Sequence, residues 1–151
     1  MVNFLTSLKP IFCLLAWFNC VAWSQTPSQI STYQGNWRFV FNGGISGDGK
    51  MTIGADNTIA ISVSVGHYQH LFSNPIVLSV GNDGTLRGSI RLLKIPVGNV
   101  IGIFSQNGDL YGEVSTPFLD VGTVIGKLKR EEGRGTYRSV AGAGTWSARK
   151  E

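Results

Sequence analysis

Hydrophobic and polar residues alternate along most of the chain after residue 35, with the two-residue period of a β-strand that buries one face. In Thr58–Val65, every second residue is isoleucine or valine, and the residues between them are alanine or serine. In Asn36–Asn42, the aromatic residues Trp37, Phe39 and Phe41 occupy one side of the predicted strand. Both segments are therefore expected to form strands with an apolar inner face.

Turn-forming residues separate the alternating segments at short intervals. Turns are predicted at Gly43–Gly49, Asp56-Asn57, Asn82-Asp83-Gly84, Gln106-Asn107-Gly108, Glu131-Glu132-Gly133 and Ala141-Gly142. The strands between them are Asn36–Asn42, Lys50–Gly54, Thr58–Val65, Ile76–Val80, Thr85–Leu93, Val100–Ser105, Asp109–Ser115, Val121–Lys129, Gly135–Ser139 and Gly144–Arg149. Short strands joined by tight turns are typical of β-hairpins.

The fold class follows from the lack of helical periodicity. No segment with a helical period is long enough to connect parallel strands, so the strands are expected to be antiparallel and to follow one another in an up-and-down meander. An open sheet of roughly 8–10 strands would leave an apolar face and two edges exposed. We therefore predict an all-β fold closed into a barrel, with a β-sandwich as the alternative.

The first 24 residues have the pattern of a secretory signal peptide. Lys9 precedes an uncharged apolar run, Ile11–Trp23, and Ala22-Trp23-Ser24 places small residues where signal peptidase cleaves. We expect cleavage after Ser24 and export to the periplasm or outside the cell. An uncleaved membrane anchor and a lipid anchor at Cys20 are alternatives. The run is shorter than the roughly 20 residues of a membrane-spanning helix, so the mature protein is not expected to span the membrane.

The mature chain is expected to be a polar lead-in, residues 25–31, followed by one domain, residues 32–151. Both cysteines, Cys13 and Cys20, lie in the predicted signal peptide, so packing and sheet hydrogen bonds must stabilise the domain. The chain is only 15% charged and contains 20 glycines. That composition favours many short strands and argues against disorder.

Two tryptophans lie in the first and last predicted strands, in Gly35-Asn36-Trp37 and Gly144-Thr145-Trp146. With the basic residues Arg149 and Lys150, they resemble the calycin group of barrels, which includes lipocalins and avidins. In that group a Gly-x-Trp begins the first strand, and a basic residue of the last strand packs across the indole. The resemblance implies that Trp37, Trp146 and Arg149, or Lys150 in place of Arg149, close the barrel. Two ordinary core tryptophans are the alternative.

The resemblance extends to avidins through Met51-Thr52-Ile53-Gly54, which follows the first tryptophan at a similar spacing. Biotin binding is not carried over, because the avidin pocket is walled by tryptophans of later strands and this chain has none between Trp37 and Trp146. The ending from Gly135 to Arg149 is also similar to that of small uncharacterised secreted bacterial β proteins. The likeness implies an architecture and leaves the ligand open.

Candidate chemistry is sparse in the predicted domain. Most carboxylates fall in glycine- and asparagine-rich turns, where they are expected to form turns and not to catalyse. No cysteine and no Gly-x-Ser-x-Gly motif is present after residue 24. We therefore expect no enzyme activity, no cofactor and no metal site. The candidate ligand-binding residues are His67, Tyr68, His70 and Phe72, in an irregular segment expected to form the mouth of the barrel.

The net charge is +4, and basic residues concentrate near the C-terminus. They are Lys127, Lys129, Arg130, Arg134, Arg138, Arg149 and Lys150. Such a face is either a solvated surface or a contact for lipopolysaccharide, an acidic polysaccharide or an acidic protein. Nucleic acid is not expected as a partner, because the basic residues are not interleaved with a stripe of exposed aromatics.

Two functions are compatible with these features. The first is an exported, non-enzymatic binding module for a small apolar or amphipathic ligand or a macromolecular partner. The second is an inhibitor of a protease or a lysozyme-like enzyme in the cell envelope. The barrel interior discriminates between them, because a centre filled by inward residues leaves no room for a ligand. The residues expected to point inward are Phe39, Ile61, Leu86, Ile103 and Trp146.

Overall fold

The computed structural model of the chain describes residues 30–66, 75–92, 95–117 and 120–151. These residues form a 3-10 turn, Ser31–Tyr33, followed by a series of β-strands. The strands are β1 (Gly35–Gly43), β2 (Gly47–Ile53), β3 (Thr58–Ser64), β4 (Ile76–Val80), β5 (Thr85–Leu92), β6 (Ile95–Phe104), β7 (Asp109–Ser115), β8 (Asp120–Leu128), β9 (Glu132–Ser139) and β10 (Gly142–Lys150).

Each strand pairs antiparallel with the next, and β10 pairs with β1 to close the barrel. The closing register runs from Trp37 opposite Lys150 to Gly43 opposite Gly144. Closure removes both sheet edges and encloses one face, which satisfies the backbone hydrogen bonds and the apolar alternation together. The predicted all-β meander is confirmed, and the barrel replaces the sandwich alternative.

Several strands begin earlier than their hydrophobic alternation. β2 begins at Gly47 instead of Lys50, β6 at Ile95 instead of Val100, and β9 at Glu132 instead of Gly135. The predicted turn at Glu131-Glu132-Gly133 is correspondingly wrong, because Glu132 pairs with Arg149 of β10. In β2 and β9 these early residues are glycine or charged, and in β6 they are Ile95-Pro96-Val97-Gly98-Asn99. Pairing with the neighbouring strand extends each strand over these residues, although they show no hydrophobic alternation of their own.

The tight turns at one end of the barrel are built as their residues predict. Asn57, Gly84 and Gly108 have positive φ values of 61°, 81° and 85°. In the β2–β3 turn, Asp56 Oδ1 accepts hydrogen bonds from the Thr58 hydroxyl at 2.6 Å and the Thr58 N–H at 3.2 Å. In the β4–β5 turn, Asp83 accepts one from the Thr85 N–H at 3.0 Å. These carboxylates act as turn formers, as the sequence indicates.

Alternation places one face of each strand inside the barrel. Trp37, Ile59, Leu86 and Phe104 are buried in this interior. The prediction that Ile103 points inward is wrong, because it is 55% exposed on the outer face. The sequence of β6 explains the error, because Val100-Ile101 and Ile103-Phe104 put apolar residues on both faces and leave the inner side undefined.

Candidate functional site

The two ends of the barrel differ in how they are filled. We call the end that carries the turns after β2, β4, β6 and β8 the sealed end, and the opposite end, where β1 turns into β2, the open end. At the sealed end Trp37 and Phe104 are 0% exposed, and Ile53 and Leu128 are almost as deeply buried. The inward side chains therefore form a dense apolar core at this end.

The segment that precedes β1 completes the seal. Ile30 is fully buried, although it lies within the predicted lead-in, and Tyr33 is also buried. The Tyr33 hydroxyl donates a hydrogen bond to the Gln106 carbonyl at 2.9 Å, and the Trp37 Nε1–H donates to the Tyr33 carbonyl at 2.9 Å. Burial raises the pKa of Tyr33. The 3-10 turn is thus fixed to both β1 and the β6–β7 turn.

The residues that the sequence predicts to close the barrel lie on two different faces of the sheet, the inner and the outer. Lys150 lies opposite Trp37, and its Nζ is 5.9 Å from the indole centroid. Arg149 pairs with Arg38, whose side chain is outside the barrel, and therefore does not pack on the indole. Lys150, and not Arg149, is therefore the basic residue of the last strand that packs across the Trp37 indole. Trp146 points inward on the same closing pair, opposite Phe41.

Burial of the inward residues decreases from the sealed end towards the open end. On six strands, the inward residue near the sealed end is buried and an apolar residue further along is only partly buried. In that order the pairs are Trp37 and Phe39, Ile53 and Met51, Ile59 and Ile61, Leu78 and Ile76, Leu86 and Ile90, and Ala148 and Trp146. The inner wall therefore stays apolar while it becomes accessible.

Glycines occupy many inward positions, and aromatic rings lie against several of them. Phe39 lies over Gly49, and Trp146 lies over Gly126, because a Cβ at either glycine would collide with the ring. These rings pack on glycines of nearby strands and therefore lie along the wall. Gly112 has no such cover, since a Cβ there would meet no heavy atom within 4 Å. Space remains beside this part of the wall.

An aromatic pair marks the rim of the open end. Phe41 and Tyr137 make an edge-to-face contact, with centroids 6.1 Å apart and an interplanar angle of 89°. The Tyr137 hydroxyl donates a hydrogen bond to the Ile45 carbonyl and accepts one from the Ile45 N–H at 3.1 Å. These contacts fix the β1–β2 turn to β9 and hold the rim in a defined shape.

The residues proposed as a ligand-binding mouth, His67, Tyr68, His70 and Phe72, lie outside the described residues. The strands that flank them, β3 and β4, reach Ser64 and begin at Ile76 at the open end. The connection containing these residues therefore joins the accessible half of the barrel, and their role stays a prediction. The inner wall around Met51, Ile76 and Ile90 is not marked as a site by any motif in the sequence.

The outer face of the barrel carries a second concave feature, a groove of about 560 Å³ across β1, β10, β9 and β8. Its lining residues are Arg38, Val40, Lys127, Lys129, Glu132, Gly133, Arg134, Ser147, Ala148 and Arg149. Half of the lining residues are basic, and two of them, Lys127 and Arg134, are direct cross-strand neighbours. The groove therefore gathers part of the basic C-terminal set and adds Arg38 from the first strand.

In the part of the chain that the structure describes, no group of three or more histidine, cysteine, aspartate or glutamate residues is arranged to hold a metal ion. Within the same ranges, no helix has the length and apolar character needed to cross a membrane. Comparison of the chain with models of known protein families and with curated proteins finds no match. The candidate sites therefore depend on the geometry alone.

Proposed function

We propose that this protein is an exported, non-enzymatic binding module that holds a small apolar or amphipathic ligand in the accessible half of its barrel. The observation that carries the proposal is the decrease in burial along the inner wall, from Trp37 to Phe39 and from Ile59 to Ile61. A wall that is apolar and yet accessible is costly in water unless something covers it. Ligand pockets have this character.

The width of the barrel supports the same proposal. A barrel of about eight strands has an interior that side chains just fill or that holds one small ligand, and the diameter grows with strand number. This barrel closes with β1 to β10. Inward glycines, such as Gly112 on β7, further reduce the volume that side chains occupy. A ligand would enter from the open end, because the 3-10 turn and the Trp37 core block the other.

The calycin resemblance supports this proposal at the level of architecture. The described barrel shares antiparallel closure and a tryptophan on the first strand beneath a cation of the last strand. A calycin-like mode of binding, with export to the periplasm or outside the cell, is part of the proposal. The inhibitor alternative needs a protruding segment, either the one around His67–Phe72 or the N-terminal tail of the mature chain, and it stays a prediction because residues 25–29 and 67–74 fall outside the described ranges.

Native mass spectrometry of the protein purified from its own host tests for a retained ligand as added mass. A second test uses the apolar fluorophore N-phenyl-1-naphthylamine with two variants. Gly112→Leu extends a side chain into the open space of the inner wall, and Ser62→Leu adds the same side chain on the exposed outer face of β3. We expect Gly112→Leu to weaken fluorophore binding about tenfold or more, and Ser62→Leu to leave it unchanged.

Two results would overturn the proposal. One is a folded Gly112→Leu protein that binds the fluorophore as tightly as the wild type does. The other is the absence of both a retained mass and fluorophore binding in the wild-type protein. Circular dichroism of each variant establishes that the barrel is folded before binding is compared.

A further inference from the structure

The barrel brings together cations that are far apart in the sequence. On the outer face, Lys50 of β2 lies opposite Arg38 of β1, and Arg38 lies opposite Arg149 of β10. On the next strand, β9, Glu132 lies opposite Arg149, and Arg134, two residues further along β9, lies opposite Lys127 of β8. We call these five cations the basic band. The band has one cation on each of five consecutive strands and extends roughly 19 Å around the wall, given the strand spacing.

The basic band is costly for the fold alone. Like charges directly opposite each other on neighbouring strands are destabilising. The band contains three such pairs, Lys50 with Arg38, Arg38 with Arg149, and Arg134 with Lys127. Oppositely charged or neutral residues at these outward positions would remove that cost without changing the core. A bound anion would offset it.

Two cations of the band, Arg38 and Lys127, form ion pairs with carboxylates. Arg38 forms an ion pair with Glu151 at 3.2 Å, and Lys127 forms one with Asp109 at 3.1 Å. Among the described residues, neither Arg134 nor Arg149 has a carboxylate oxygen within 4 Å. Ser147, a small residue opposite Arg134, lies between these two arginines on the same face. Glu132, opposite Arg149, is the one carboxylate among the lining residues, and its ion pair is with Lys129 at 3.9 Å, so within the described ranges these two arginines form no ion pair of their own.

We propose that the groove around Arg134 and Arg149 binds an extended polyanion, a polymer that carries a carboxylate or phosphate on each repeating unit. Cations on consecutive strands can pair with successive anions of one polymer, and arginine pairs with carboxylate or phosphate through two parallel hydrogen bonds. The groove runs across four strands, so it accommodates a chain better than a single ion. This surface is separate from the interior site, and the inference does not rest on the proposed function.

The lining favours a polysaccharide-like or polyphosphate chain over two other anionic partners. None of the residues that line the groove is aromatic, so it offers no surface on which nucleobases stack. Val40 is the only large apolar residue among the outward residues that line the groove. A membrane surface is too flat to enter a groove on the wall of a barrel.

The test measures binding of the full mature chain to oligogalacturonate and to inorganic polyphosphate by isothermal titration calorimetry at several salt concentrations. The double variant Arg134→Gln/Arg149→Gln removes the middle of the band. Its matched control, Arg87→Gln/Arg91→Gln, removes the same charge from exposed positions on β5, outside the groove. The two polymers distinguish carboxylate from phosphate as the preferred anion.

We expect at least one polymer to bind the wild type, with affinity that falls as salt rises because counterions are released. The groove variant should lose about tenfold or more in affinity at low salt, and the slope of log K against log salt should fall by about two. The control should stay within about threefold. Equal losses in the two variants, or no binding to either polymer, would each overturn the proposal.

Discussion

Lys150, near the end of the chain, lies over the indole of Trp37 on the first strand, with its Nζ 5.9 Å from the ring centroid. The two residues are direct partners in the β1–β10 register that closes the barrel. The indole is 0% exposed, and its Nε1–H reaches the Tyr33 carbonyl. One side chain thus connects the last strand, the first strand and the turn that seals the end.

Removing the closing cation should weaken the barrel slightly. We expect Lys150→Gln to lower the free energy of unfolding by about 0.5–1 kcal/mol, because it removes a cation–π contact. Arg149→Gln is the matched control, and it should have little effect, since it removes both a like charge opposite Arg38 and an opposite charge opposite Glu132. Urea unfolding followed by tryptophan fluorescence measures both. A larger loss in Arg149→Gln than in Lys150→Gln would contradict this assignment.

Truncating the seal should cost far more. Ile30→Ala is expected to lower the free energy of unfolding by about 2–4 kcal/mol, because Ile30 is fully buried against the core. Thr32→Ala, two residues later and exposed, should change it by less than about 0.5 kcal/mol. Chemical denaturation of the two variants checks the difference. Similar stability of Ile30→Ala and the wild type would show that the segment before β1 does not seal the barrel.

Acid should destabilise the protein through its turns. Hydrogen bonds from the Thr58 side chain and backbone lower the pKa of Asp56, and the Thr85 N–H and side chain do so for Asp83. A carboxyl whose folded-state pKa is lowered stabilises the fold above its unfolded-state pKa, near 4, and loses this contribution as the pH falls through the folded-state value.

The double variant Asp56→Asn/Asp83→Asn keeps the acceptor oxygens but does not titrate. Its urea midpoint should therefore fall less than that of the wild type between pH 7 and pH 3. Denaturation curves at both pH values give the comparison. An equal fall in the two proteins would mean that these turns do not contribute to acid sensitivity.

Inward glycines should respond differently to a larger side chain. Gly112→Val should leave stability unchanged or raise it by up to about 1 kcal/mol, because the site has space and valine favours strands. Gly135→Val should destabilise by about 1–3 kcal/mol, because its Cβ would collide with the Ile125 carbonyl and the Trp146 indole. Thermal unfolding of both variants tests the contrast. Equal effects would contradict the open space beside Gly112.

The amino-acid sequence predicts the architecture well because turn chemistry and alternation agree along most of the chain. β4 and β7 have the predicted bounds, since alternation and flanking turns both define them. Prediction from the sequence fails where alternation and flanking turns do not both define the strand. β6 has apolar residues on both faces, so Ile103 was assigned to the wrong side.

The sites were harder to predict than the fold. Alternation indicates which residues of one strand share a face, but it does not say which strands become neighbours. The basic band could not be foreseen for this reason, because Lys50 and Arg38 join Arg149 only through closure. The accessible half of the interior likewise depends on how far the core of Trp37 and Phe104 extends, which no local pattern determines.

The most direct test of the central claim, an apolar interior that is accessible from one end, is a methyl NMR titration with N-phenyl-1-naphthylamine. Isoleucine and methionine methyls sample both faces. The inner set is Met51, Ile61, Ile76 and Ile90, and the outer set is Ile95, Ile101, Ile103 and Ile125. The inner set should shift saturably while the outer set stays fixed. Shifts confined to the outer set, or an inner set that does not respond while the probe binds, would contradict the account.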